Sequence, residues 1–225
     1  MNASDFGGYI FDVDGTLYSQ KKVRRAMLFR ILLYYAFRPF HWRELCALFI
    51  FRRFREKREL CGQSMGEICQ KVSQMLKMSK SVVDWTIRFW MFEEPLDLLY
   101  KYRYCDVLEF IKKEHSAGKK IIIYSDYPAV EKLAVMQIPY DHLFVSGENG
   151  IKELKPSAEA MCKILAVSGL TADRLVYIGD RDERDKASAE LAHIAYCDIR
   201  AFRKLKCSCR LNDRQVADLH LNENK

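Results

Sequence analysis

The chain has 225 residues, 49% of them apolar and 30% charged, with a formal net charge of +7. That apolar fraction excludes a disordered chain, and the length allows one core with a sizeable insertion or two small domains. The charge is uneven: between Lys21 and Arg58, 12 Lys or Arg face Glu44 and Glu56, a local net of +10, which leaves −3 for the remainder. The basic character therefore belongs to one segment and speaks to that segment's partners. Eight cysteines are scattered through apolar patterns with no secretory signal ahead of them, so a reduced, cytoplasmic protein is expected. Cys207-Ser208-Cys209 is too lone a pair for a zinc site and reads as free thiols.

In chain order, Tyr9-Ile10-Phe11 is a short apolar strand that runs into Asp12-Val13-Asp14-Gly15-Thr16. Residues 20–93 then read as helical, with few Gly and Pro. Four helices are expected there: Lys22–Phe37, His41–Leu60, Ser64–Met78 with Ser64 and Glu67 spaced as a capping box, and Ser81–Phe92. From about residue 100, strands and helices alternate. Helices are expected over Asp106–Ala117, Ala129–Gln137, Ser157–Val167 and Glu183–Ala192. Strands are expected over Lys120–Tyr124, His142–Val145, Arg174–Ile178 and Ile194–Cys197, and residues 200–225 read as a polar tail. Such alternation argues for an α/β fold, a doubly wound parallel sheet with helices on both faces.

Open sheets of this kind bind ligands at the carboxyl ends of their strands. Asp12, Asp14, Ser125, Lys155 and Asp180 all fall at or just beyond such ends. If those ends converge, Asp12 and Asp180 can hold Mg²⁺ through oxygen, and Asp185 can order its shell through water. Lys155 supplies a fixed positive charge, Thr16 and Ser125 supply hydroxyls, and turn N–H groups supply more. Together they describe a cradle for a phosphate. Each piece has a plainer explanation: an acidic turn after a strand, a loop lysine, a serine capping a helix, an acid-rich helix start. It is their joint order and placement that favours the functional reading.

The stretches Asp12-Val13-Asp14-Gly15-Thr16-Leu17, Ile121-Ile122-Ile123-Tyr124-Ser125, Lys155-Pro156-Ser157 and Ile178-Gly179-Asp180 through Asp185 resemble the four motifs of the haloacid dehalogenase-like hydrolase superfamily, in the family's order. The resemblance implies a Rossmann-like core in residues 1–17 and 100–225. Asp12 would be the nucleophile that becomes an aspartyl phosphate. Asp14 would be the acid that protonates the leaving oxygen and then activates water. Ser125 and Lys155 would hold phosphoryl oxygens, with Thr16 and Asp126 beside them. Asp12, the Asp14 carbonyl and Asp180 would bind the metal. The dehalogenase branch does not use an acid at position 14, so a phosphate substrate is implied. One departure is Glu190-Leu191-Ala192-His193, where the family has a small-residue turn.

Only 30 positions separate Ser125 from Lys155, whereas 113 separate Asp12 from Ser125. Any cap must therefore lie in the first gap, over residues 18–99, and its pattern is all helical. The resemblance implies that such a cap closes over the strand ends and selects the substrate. Ala26–Phe37 is apolar except for Arg30, Leu45–Phe51 is wholly apolar, and both are flanked by Arg and Lys. Neither reaches the ~20 apolar residues needed to span a bilayer. They read as a helical bundle with a basic outer face, or as a surface that rests on anionic membrane at the inner face of the cell. No nucleic-acid-binding motif accompanies the charge, so no nucleic-acid partner is expected.

The expected activity is Mg²⁺-dependent hydrolysis of a small phosphomonoester: a sugar phosphate, another metabolite or the phosphorylated head of a lipid. The alternatives are a phosphomutase of the same superfamily, and a non-catalytic partner-binding or membrane-surface protein on the same scaffold.

Overall fold

The computed structural model describes residues 6–56, 65–148 and 150–204. The expected cap at Ser64, the end of the second helix beyond Glu56, Cys61, the Cys207/Cys209 pair and the tail from 205 lie outside them.

Five strands form one parallel sheet in the order β3-β2-β1-β4-β5, with β1 at its centre. They are β1 (Gly8–Phe11), β2 (Lys120–Ser125), β3 (His142–Val145), β4 (Leu175–Gly179) and β5 (Ala195–Asp198). The central strands are buried on both faces, which is why they read as continuous apolar runs. Tyr9, Phe11, Ile121, Ile123, Val176 and Ile178 face one layer, with Val107, Phe110 and Ile111 of helix α6 (Cys105–Ser116) and Leu133 of α7 (Val130–Met136). Ile10, Ile122, Tyr124, Leu175 and Tyr177 face the other, against Ala160, Met161 and Ile164 of α8 (Ala158–Ser168). Each fully buried aliphatic or aromatic side chain stabilises this layering by roughly 1.5–3 kcal/mol.

Register turns this layering into a site. Phe11 lies level with Ile123 on one side and Ile178 on the other. The residues that follow these three, Asp12, Tyr124-Ser125 and Gly179-Asp180, therefore leave the sheet at the same edge.

The segment between β1 and β2 is helical: α1 (Gln20–Ala36), α2 (Trp42–Glu56), α3 (Met65–Leu76), α4 (Lys80–Arg88) and α5 (Leu96–Tyr102) precede α6. Ala47, Phe51, Ile68, Cys69, Val72, Val83 and Ile87, from α2, α3 and α4, make a small core of their own. Val23, Met27 and Tyr35 of α1 instead join the main core. Helix α5 was not expected. Pro95 reads as a stop, but it sits at the N-cap of α5, where its missing N–H costs nothing. The boundary drawn at 99/100 falls inside this helix.

Two further differences concern the C-terminal half. The run Asp182–Lys186 is a π-helical turn ahead of a short α9 (Ala187–Leu191). Residues 199–204 are helical and packed, not a loose tail: Phe202 sits edge-on to Phe110 at 4.9 Å, and Arg203 donates to Asp106 at 2.7 Å. Among the described residues, Cys46, Cys69, Cys105, Cys162 and Cys197 are free thiols. No described helix is long and apolar enough to cross a membrane.

Candidate active site

Asp12 follows β1 and still belongs to the ladder, donating its N–H to Ile178 O at 3.0 Å. Its carboxylate is buried. Lys155 Nζ donates to Asp12 Oδ1 at 2.6 Å and to Asp185 Oδ1 at 2.9 Å. The ammonium lies over the rings of Tyr124 and Tyr177, at 4.7 and 5.5 Å. An ammonium so enclosed must keep its anions. Although burial works against the charge, Asp12 and Asp185 hold Lys155 protonated well above the ordinary lysine range. Burial pushes Asp12 up to about 7 even though Lys155 draws it down, with Asp185 adding repulsion. Full ionisation of Asp12 at neutral pH therefore calls for more positive charge than Lys155 alone provides.

Asp180 is where that charge fits. Its Oδ1 is buried with no hydrogen-bond donor, and burial raises its pKa despite the neighbouring Arg181. Ligand oxygens of Asp12, Asp180 and Asp185 lie within 4.8 Å of one another. Asp185 is already satisfied: Oδ1 accepts from Lys155 and from the Tyr177 hydroxyl at 2.9 Å, and Oδ2 from the N–H groups of Asp180 and Arg181, both at 3.2 Å. Asp12 and Asp180 are thus the better cation ligands. Asp185 orders Lys155 and the loop after β4 by direct contact. A hard, oxygen-seeking divalent ion such as Mg²⁺ suits this donor set.

Two glycines make the cluster sterically permissible. Gly15 has φ +102°, and a Cβ there would meet Asp180 Oδ2 at 2.2 Å. A Cβ on Gly179 would meet the Asp185 side chain at 2.5 Å.

Asp14 lines the same solvent-open cleft as Asp12, Ser125, Asp126, Lys155 and Asp185. The turn at Gly15 therefore brings both carboxylates to one side. Tyr18 Oη donates to Asp14 Oδ1 at 2.5 Å, and Lys132 Nζ donates to the same oxygen at 2.7 Å. Burial raises the Asp14 pKa, but Lys132 and Tyr18 more than offset it and hold the carboxyl below its ordinary range. Both bonds fall on Oδ1, which leaves Oδ2 for reacting groups.

The remaining expected residues sit close by but differ in what their side chains do. Ser125 is buried at the cleft, and its Oγ accepts from Tyr127 N at 3.2 Å, so its hydroxyl proton is left to donate. Thr16 is fully buried and donates to Asp12 Oδ2 at 3.1 Å, so it orients the carboxylate. The Asp126 carboxylate accepts from Ser146 Oγ, Lys155 N and Arg184 Nη1 at 3.0, 3.0 and 2.9 Å. It braces the Lys155 loop, and what it can offer a phosphate is its backbone. His193, in the departure noted above, is exposed and takes the left-handed conformation (φ 55°) that a small residue would otherwise occupy.

Tyr18, Lys132, Arg181 and Arg184 were not singled out from the sequence. Tyr18 stands four residues after Asp14, a local spacing that carries some signal. Lys132 is 118 residues from Asp14, and only the tertiary fold joins them. Arg181 and Arg184 are interleaved with the acids of 180–185, whose charge drew the attention. Both arginines line the cleft.

Residues 9–199 match the family model for haloacid dehalogenase-like hydrolases. No curated protein matches the chain significantly. Among solved structures, YfnB of Bacillus subtilis, assigned as a HAD hydrolase and bound to magnesium, aligns with a TM-score of 0.61 at 14% identity, covering 85% of this chain and 87% of that one. A 2-haloacid dehalogenase from Pseudomonas syringae aligns with a TM-score of 0.60 at 13% identity, covering 85% of each chain. A HAD phosphatase from Thermococcus onnurineus aligns at 0.50 and 14%, again over 85% of each. At such identities the likeness concerns the fold alone.

Proposed function

We propose, for a chain that belongs to the haloacid dehalogenase-like hydrolase family, that its activity is Mg²⁺-dependent hydrolysis of a phosphomonoester. The observation that carries this reading is the shared cleft of Asp12 and Asp14, with Lys155 Nζ 2.6 Å from Asp12. Asp12 and Asp180 would hold a divalent cation, which would supply charge neutralisation.

The chain's own groups divide the work. Thr16 and Lys155 aim the Asp12 carboxylate, which attacks phosphorus in line as the bond to the leaving oxygen breaks. Ser125 and Lys155 donate to the phosphoryl oxygens. Asp14 passes a proton from Oδ2 to the leaving oxygen, and later takes one from the water that displaces Asp12. In this arrangement Lys132 and Tyr18 favour the ionised Asp14, the form the water step needs.

The test is release of inorganic phosphate from a panel of phosphomonoesters, with and without chelator. Metal-dependent release that disappears in Asp12→Asn supports the reading. Absence of release across the panel would return the chain to a binding role, and isomerisation of a sugar phosphate without net release would make it a mutase.

A further inference from the structure

Helix α1 carries two adjacent exposed rows at fourfold spacing. One reads Lys21, Arg25, Phe29, Leu33, Phe37 and the other Arg24, Leu28, Leu32, Ala36, all exposed. Residues four apart stack on one face of a helix, so each row is basic at its N-terminal end and apolar at its C-terminal end. From Lys21 to Phe37 the rows span about 24 Å at 1.5 Å per residue. The opposite side of α1 does the packing: Val23, Met27 and Tyr35 are buried in the main core. The apolar half continues past the helix end into Phe40 and Trp42, and Phe37 and Phe40 are 81% and 92% exposed. Contiguous exposed apolar surface of this kind marks an interaction face.

We propose that this face of α1 docks on an anionic membrane surface. The two ends of the rows call for different surroundings. Lys21 and Arg25 call for anions, whereas Phe29, Leu33 and Phe37 call for removal from water. An anionic lipid interface offers both, headgroup phosphates for the cations and acyl chains for the apolar side chains. A second copy of this chain matches poorly. Two-fold pairing of α1 would lay basic ends on apolar ends or on each other, and either arrangement desolvates cations with no anion opposite. Nucleic acid would meet the cations but leave the aliphatic rows in water. The turn after α1 and helix α2 add basic groups: Arg38 stacks over Tyr34 at 4.0 Å, and Arg53 of α2 is exposed. The apolar half of the rows lies toward the C-terminal end of α1, whereas Arg24 at the N-terminal end interacts with Asp14 and Arg181 of the cleft; the inference rests on the exposed rows and does not depend on the hydrolase reading.

The test is co-sedimentation of the full chain with phosphatidylcholine vesicles and with mixed phosphatidylcholine–phosphatidylglycerol vesicles. Binding is expected only to the anionic vesicles, falling as salt is raised. The triple variant Phe29→Ser, Leu33→Ser, Phe37→Ser should bind roughly tenfold less tightly or worse. Because these side chains are exposed, its circular dichroism and its thermal melting should match the parent. Lys21→Gln with Arg25→Gln should flatten the salt dependence. Absence of binding to anionic vesicles at low salt overturns the proposal, as does equal binding by the triple variant. A concentration-dependent dimer of the parent that the triple variant abolishes would give the face to a second copy instead.

Discussion

Gly15 and Asp180 occupy the same space so closely that only a hydrogen fits between them: a Cβ on Gly15 would lie 2.2 Å from Asp180 Oδ2. The turn that brings Asp12 and Asp14 to one side also makes room for the third carboxylate. Gly15→Ala would strain a backbone at φ +102° and push Asp180 away from Asp12. The expected outcome is a folded protein with about 10–100-fold weaker metal affinity. Titration of metal-dependent phosphate release, alongside thermal melting, measures both parts.

Asp12→Asn and Asp14→Asn should separate by size of effect. Losing the nucleophile leaves no covalent route, so turnover is expected to fall by at least about 10⁴-fold. Losing a proton-transfer group should cost roughly 10²–10⁴-fold. Each protein should remain folded, because Lys155 keeps Asp185 and Tyr18 keeps a hydrogen-bonding partner at position 14. Single-turnover kinetics with acid quench read the difference, since covalent phosphate should be trapped in Asp14→Asn and absent in Asp12→Asn.

Lys155→Met is expected to destabilise the fold as well as abolish activity. It strips the ammonium from Asp12 and Asp185, two buried carboxylates. Breaking a buried ion pair from one side costs about 3–5 kcal/mol. Urea denaturation gives the figure, and Lys155→Met combined with Asp185→Leu should recover part of it. Equal stability of parent and single variant would mean that water already reaches the pair.

Lys132→Met bears on the proton chemistry. Asp14 is held below its ordinary value of 3.8, with Lys132 opposing the effect of burial. A depressed carboxylate contributes stability above its unfolded pKa and loses it as pH falls through the folded one. Removing Lys132 raises the folded value, so the Asp14 limb of the kcat profile should move to higher pH. Stability at neutral pH should fall, and the part of it that acidification removes should shrink, because the folded and unfolded values move closer together. A pH–rate profile unchanged in Lys132→Met would show that Asp14 titrates independently of this contact.

Arg55→Ala tests the contact between cap and core. Arg55 Nη2 donates to the carbonyls of Asp126 and Ser146 at 3.0 and 3.1 Å, and its guanidinium lies over Tyr127 at 5.6 Å. These bonds join α2 to the loops after β2 and β3. Hydrogen bonds from a charged donor contribute about 1.5–3 kcal/mol, so the cap should loosen and KM should rise more than kcat falls. Steady-state kinetics over a substrate range distinguishes this from a general loss of fold.

Much of the architecture was legible in the residues because its signals are local. Continuous apolar runs such as Ile121-Ile122-Ile123 announce buried parallel strands, and Ser157 and Gly169 mark the ends of α8, where Ser157 Oγ accepts from Ala160 N and Gly169 takes the left-handed cap. Pro95 misled because the same ring that ends one helix can begin another. The packed turn at 199–204 was missed because Phe202 is one aromatic in a polar run, and its partner Phe110 is 92 residues away.

By itself the sequence determined the alternation of strands and helices, the all-helical insertion, and which acids, hydroxyls and lysine would stand at the strand ends. Periodicity and turn chemistry act over a few residues, so they can be read along the chain. Only the tertiary structure decided how those groups share their bonds. It spends Thr16 on Asp12 and Asp126 on the Lys155 loop, saturates Asp185, leaves Asp180 Oδ1 with no hydrogen-bond donor, and brings Lys132 to Asp14. Each polar atom buried at this sheet edge has few partners within reach. Which one it takes depends on distances set by packing across the whole core.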